Sequence, residues 1–87
     1  MTDEMTTATV YSRPGCMRCL TTIRALTHCG VVVQVRQLDD YPVKIVEMEM
    51  KGWQELPLVE VHDAKGELVD TWFGFSQTHI DRLKENQ

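Results

Sequence analysis

The sequence predicts an α/β fold in the element order β-α-β-α-β-β-α, a sheet with helices on its faces. Three observations predict it. The period of the apolar pattern switches between 2 and 3.6 along the chain, glycine and proline punctuate the switches, and the second half carries a hairpin signal.

Ala8-Thr9-Val10-Tyr11 is β-prone and stops at the turn residues Arg13-Pro14-Gly15. From Cys16 to Cys29 the pattern is helical. Cys19, Leu20, Ile23 and Leu26 fall on one side, Arg18, Arg24 and His28 fall away from it, and Gly30 supplies the stop. Val31-Val32-Val33-Gln34-Val35-Arg36 reads as a second strand, with Val33 and Val35 facing one way and Gln34 and Arg36 the other. Asp39-Asp40-Tyr41-Pro42 offers an N-cap and an early helical proline. The short helix that follows has Val43, Ile45, Val46 and Met50 as apolar positions and ends at Gly52; Met48 and Met50 read as filler in a small core. Leu58-Val59-Glu60-Val61-His62 and Glu67-Leu68-Val69-Asp70-Thr71-Trp72 flank Asp63-Ala64-Lys65-Gly66, which makes a hairpin. Ser76 caps a last helix through Ile80 and Leu83.

No linker, repeat or low-complexity stretch separates these elements, so residues 1–87 are expected to form a single domain. A domain of this size buries only about 60% of the surface its unfolded chain exposes, so the core will be thin. Its 43% hydrophobic and 25% charged residues are those of an ordinary globular protein. The net charge of −4 gives no attraction to phosphate backbones or anionic lipid, so no nucleic-acid or membrane partner is expected. Met1-Thr2-Asp3-Glu4-Met5-Thr6-Thr7 lacks the basic and then apolar pattern of a secretory signal, and no run approaches the roughly 20 apolar residues of a membrane span. A cytoplasmic location is the expectation, and there paired cysteines point to redox chemistry or metal rather than to a structural disulfide.

Cys16-Met17-Arg18-Cys19 lies between a strand and a helix. At a helix start, unpaired backbone N–H groups and the positive end of the dipole favour a thiolate, which Arg13 and Arg18 reinforce. The second cysteine lies one turn on, within reach of a mixed disulfide on the first. Cys16 is therefore the candidate nucleophile and Cys19 the candidate resolving thiol. The same spacing also builds zinc sites, and Cys16, Cys19, His28 and Cys29 make four candidate ligands. On one helix, however, the two pairs stand roughly 15 Å apart, too far for one ion. Cys29 reads as a partly buried structural cysteine, and His28, His62 and His79 as solvated side chains. Leu56-Pro57 directly precedes a strand, where a proline occupies the first position or a special turn. Trp72 and Phe75 flank the junction of a strand and a helix, where recognition residues concentrate, with core packing the other reading for Trp72.

Three blocks, Tyr11-Ser12-Arg13-Pro14-Gly15-Cys16-Met17-Arg18-Cys19, Gly52-Trp53-Gln54-Glu55-Leu56-Pro57 and Trp72-Phe73-Gly74-Phe75, resemble the NrdH-redoxins, glutaredoxin-like electron donors of class Ib ribonucleotide reductase. The resemblance spans roughly residues 9–83 and implies a thioredoxin/glutaredoxin-like fold with a mixed four-stranded sheet. It implies that Cys16 and Cys19 cycle between dithiol and disulfide with no bound cofactor, and that Pro57 is cis beside them. It further implies that the Leu56 backbone pairs with an extended substrate segment, with Pro57, Trp72, Gly74 and Phe75 completing the substrate-binding surface. The implied partners of such a monomeric carrier are ribonucleotide reductase and an NADPH-dependent thioredoxin reductase. Members usually follow the Trp-x-Gly-Phe block with Arg-Pro-Asp, where this chain has Ser76-Gln77-Thr78. A glutathione-dependent glutaredoxin is the alternative, but such proteins carry a Gly-Gly turn and an acid for the amino group of glutathione, and neither follows Gly74 here. A zinc-binding interaction module without catalysis is the second alternative.

Overall fold

The computed structural model describes residues 6–85. Strand β1 (Thr7–Ser12) leads into helix α1 (Met17–His28), then β2 (Val32–Gln37), a 3-10 turn (Leu38–Asp40) and α2 (Pro42–Lys51). The hairpin β3 (Leu58–His62) and β4 (Leu68–Phe73) follows, and α3 (Gln77–Glu85) closes the order. The sheet is mixed and four-stranded, in the order β2-β1-β3-β4. β1 runs parallel to β2 and antiparallel to β3, so Val10 sits between Val35 and Val59. The order and the sheet are those expected.

Alternation along the strands divides the core between the two faces. Ala8, Val10, Val59, Val61 and Trp72 pack with Leu26 of α1 and with Ile80 and Leu83 of α3. Tyr11 and Leu58 face the other way, against Leu38 and Met48, with Ile45 and Trp53 partly buried around them.

Helix boundaries follow local chemistry. The Ser76 hydroxyl accepts from the His79 N–H at 3.4 Å, the cap expected for α3. Gly52, at φ 75°, ends α2, and the Trp53 N–H returns to the Met48 carbonyl at 2.8 Å. The start of α2 differs from expectation. Asp39 and Asp40 belong to the 3-10 turn, and Tyr41 is the N-cap, with no side-chain bond, ahead of Pro42.

Two helical faces also differ. On α1 Leu20 is exposed, and Thr22 is fully buried in its stead. The Thr22 hydroxyl donates to the Arg18 carbonyl at 2.9 Å, which lets a polar residue enter the core. On α2 the buried residue is Met48, whereas Val43, Val46 and Met50 lie on the solvent side. Val35, expected to share the inward face of its strand with Val33, is exposed as well.

One polar group enters the second face of the sheet. Glu60 is buried, accepts from Lys44 Nζ at 2.8 Å and lies 3.5 Å from the Tyr11 hydroxyl. Burial, and then the Glu60 charge, push the Tyr11 phenol above its ordinary value. The hydrogen bond to Glu60 raises Lys44.

Candidate redox site

The turn after β1 passes through Gly15 at φ 82°, a conformation that other residues rarely adopt, and delivers Cys16 as the N-cap of α1. Extended backbone at Cys16 lets its sulfur act as the capping atom. The Cys16 Sγ accepts the backbone N–H of Cys19 at 3.1 Å, using a donor the helix leaves unpaired. The two sulfurs are joined as a disulfide, with the Cα atoms 5.2 Å apart. Cys16 is partly exposed and Cys19 is only 2% exposed, because α1 turns it toward the sheet. Met17 projects beside them, 70% exposed.

The strand register brings a second segment to the same end of the sheet, since Tyr11, near the end of β1, pairs with Leu58, the first residue of β3. The Leu56–Pro57 peptide just before it is cis, as the resemblance implies. The Pro57 carbonyl accepts the Gly74 N–H at 2.9 Å, which binds the turn after β4 to this segment. Phe75 beyond it is 39% exposed, Leu56 is half-buried, and Pro57 and Gly74 are buried. Trp72, expected at the contact surface, is instead 3% exposed in the core. Its position on β4 turns it toward α1 and α3, where it stacks on His79 at 4.6 Å.

The two arginines expected to leave positive charge around Cys16 are each held by an acid. Arg13 binds Asp39 through Nη2 at 2.8 Å and Nε at 3.0 Å. Arg18 lies 3.6 Å from Glu55 Oε1. The same Glu55 oxygen would lie 3.1 Å from a Cβ at Gly74, so this carboxylate occupies the space between the start of α1 and the Gly74 turn. Asp39 and Glu55 were not legible as site residues, because nothing in their spacing marks a partner across the fold. A groove of about 370 Å³ is lined by Leu38, Ile45, Met48 and Trp53 together with Arg13, Gln54 and Leu56.

The remaining candidates are structural. Cys29 is partly buried, packs against the core and points its sulfur at the Ile80 carbonyl, 3.9 Å away. Helix α1 spans Met17–His28, separating Cys16 and Cys19 from His28 and Cys29 as the spacing argument requires. His79, expected to be solvated, is half-buried against Trp72 and lies 2.9 Å from Asp70.

A profile of the glutaredoxin family matches residues 8–69, which include both cysteines and Pro57. The chain belongs to the glutaredoxin family. This glutaredoxin is 29% identical over 75 residues to the glutaredoxin-like protein NrdH of Escherichia coli K12, covering 86% of the chain and 85% of that protein. The NrdH of Salmonella typhimurium matches to the same extent. Among solved structures, the E. coli glutaredoxin-like protein NrdH-redoxin, described as having a thioredoxin-like activity profile, superposes with a TM-score of 0.70. It is 27% identical, with 88% of this chain and 93% of that one covered. Plasmodium falciparum thioredoxin shares the fold alone, with a TM-score of 0.59 and 17% identity over 93% of this chain and 80% of its own. The thioredoxin-like fold and the Cys16–Cys19 disulfide make this glutaredoxin a thiol-disulfide oxidoreductase.

Proposed function

We propose that the protein is a dithiol carrier that reduces protein disulfides, supplies ribonucleotide reductase, and is recharged by thioredoxin reductase. The observation that carries this reading is the likeness to NrdH along nearly the whole chain, in sequence and in fold. The turn after Gly74 supports it. Phe75-Ser76-Gln77-Thr78 holds no acid for the amino group of glutathione, and an exposed Met17 and Phe75 suit a protein partner.

Cys16 is the attacking group. Its sulfur is the more accessible of the two, at a helix start with a backbone donor directed at it, an arrangement that favours the thiolate. The thiolate attacks one sulfur of the target disulfide, forming a mixed disulfide and releasing the other target sulfur as a thiolate. Cys19 then loses its proton and attacks the Cys16 sulfur. The Cys16–Cys19 bond closes, and the target leaves with two electrons and, after protonation, two thiols. Leu56 pairs through its backbone with an extended target segment, a reading supported by its position just ahead of the paired residues of β3. Phe75 adds exposed apolar surface beside it, while Pro57, Gly74 and Trp72 support that surface from beneath.

A glutathione-dependent reaction is the second reading, favoured by the groove lined by Arg13, Gln54 and Leu56. NADPH oxidation coupled either to thioredoxin reductase or to glutathione with its reductase separates the two. Fast turnover with thioredoxin reductase and slow turnover with glutathione is expected; the reverse would overturn the carrier assignment.

A further inference from the structure

Arg18 lies inside the redox motif, in the first turn of α1, where a cation is opposed by the helix dipole. It is half-exposed, and its guanidinium lies 3.6 Å from the Glu55 carboxylate, itself half-exposed. Glu55 is confined on its far side. Its Oε1 stands against Gly74, where a Cβ would approach to 3.1 Å, and Gly74 is fixed by its bond to the Pro57 carbonyl. One carboxylate therefore meets the redox helix and the Gly74 turn, and is next in sequence to the Leu56–Pro57 segment.

We infer that Glu55 is a positioning residue for the redox step: it competes with the Cys16 thiolate for Arg18 and so sets how reactive the reduced protein is. The inference rests on the reading of Cys16 as the attacking thiol. In the disulfide state no negative charge stands on either sulfur, and Arg18 has Glu55 as its anion. Reduction by a dithiol donor transfers two electrons and breaks the Cys16–Cys19 bond. It leaves Cys16 as a thiolate and Cys19 as a thiol, with the donor oxidised to a disulfide and one proton released. The new anion arises two residues before Arg18 in the sequence, at the N-cap of the helix that carries the guanidinium. Glu55 limits the share of Arg18 available to Cys16 and holds the thiolate fraction below what the motif alone would give.

The test is the pH dependence of Cys16 alkylation by iodoacetamide in the reduced full chain, read by mass spectrometry of the labelled peptides. Glu55→Gln keeps the shape and removes the charge. Its midpoint is expected at a pH lower by about 0.3 or more, about a two-fold faster reaction below the midpoint. Loss of a nearby anion favours any thiolate, so the deciding measurement is the same substitution in an Arg18→Gln background. There the shift is expected to fall by at least half, and 1 M salt is expected to shrink it in the Arg18 protein. An unchanged or raised midpoint in Glu55→Gln overturns the inference, as does an equal shift with and without Arg18. Cys19 labelling ahead of Cys16 in the unaltered protein overturns the assignment of the attacking thiol and this inference with it. An unmoved midpoint with Cys16 still labelled first overturns this inference alone.

Discussion

The Lys44 ammonium donates to the Glu60 carboxylate at 2.8 Å, tying α2 to β3 through a largely buried ion pair. Removing one partner leaves the other buried charge uncompensated, whereas replacing both with apolar groups removes the desolvation cost with the bond. Lys44→Met is expected to cost about 2 kcal/mol, a Tm loss of roughly 10 °C for a chain of this size. Lys44→Met with Glu60→Leu is expected to recover most of that loss. A double variant that melts lower than the single one would show that the pair contributes more than its burial costs.

Alkali is expected to weaken the fold through the same cluster. Tyr11 and Lys44 are both raised above their ordinary values, by burial and by the bond to Glu60 respectively, so the native state keeps their protons longer than the unfolded chain. Stability from such groups is full below their unfolded pKa values, about 10 and 10.4, and falls as pH rises through the native ones. Urea denaturation of the oxidised protein from pH 9 to 11 should show the decline, and Tyr11→Phe should flatten it. A slope left unchanged by Tyr11→Phe would remove the phenol from the account.

Unequal access to the two sulfurs sets the outcome of trapping. A Cys19→Ser variant lacks the group that resolves the mixed disulfide and should accumulate a covalent adduct with its target through Cys16. Cys16→Ser, whose remaining motif cysteine Cys19 is 2% exposed, should accumulate none through that sulfur. Equal adduct from both variants would contradict the division of roles.

Trp72 is expected to matter for stability rather than for contact. Trp72→Ala should cost about 3–5 kcal/mol. Trp72→Phe keeps most of the apolar contact and removes Nε1, a buried donor without a partner among the described residues. The KM of Trp72→Phe for a protein disulfide should match that of the unaltered chain. A several-fold rise in KM in a folded variant would return Trp72 to the binding surface.

The order of elements was legible because glycine, proline and the change of period mark each boundary, as at Gly30, Gly52 and Ser76. Facing was less legible where a helix is apolar on both sides. Val43, Val46 and Met50 make as good a stripe on α2 as Ile45 and Met48, and only the sheet beneath decides between them. Thr22 reads as polar, yet its hydroxyl is satisfied by its own helix and the residue is buried. Cys16 and Cys19 were legible because their chemistry depends on local spacing. Glu55 and Asp39 were not, because each meets its arginine across the fold, at a sequence separation of 37 or 26 that no periodicity encodes.

The strand order β2-β1-β3-β4 places β1 and β3, which lead to Cys16 and follow Pro57, in the interior of the sheet. Each is laced by hydrogen bonds along both sides, while β2 and β4 form the margins. Exposed marginal positions such as Val32, Val35, Leu68 and Val69 can drift with little effect on the spacing of the redox pair and the cis peptide. The sheet of this glutaredoxin thus has separate territories, an exposed margin and an inner pair of strands whose register holds the two halves of the site together.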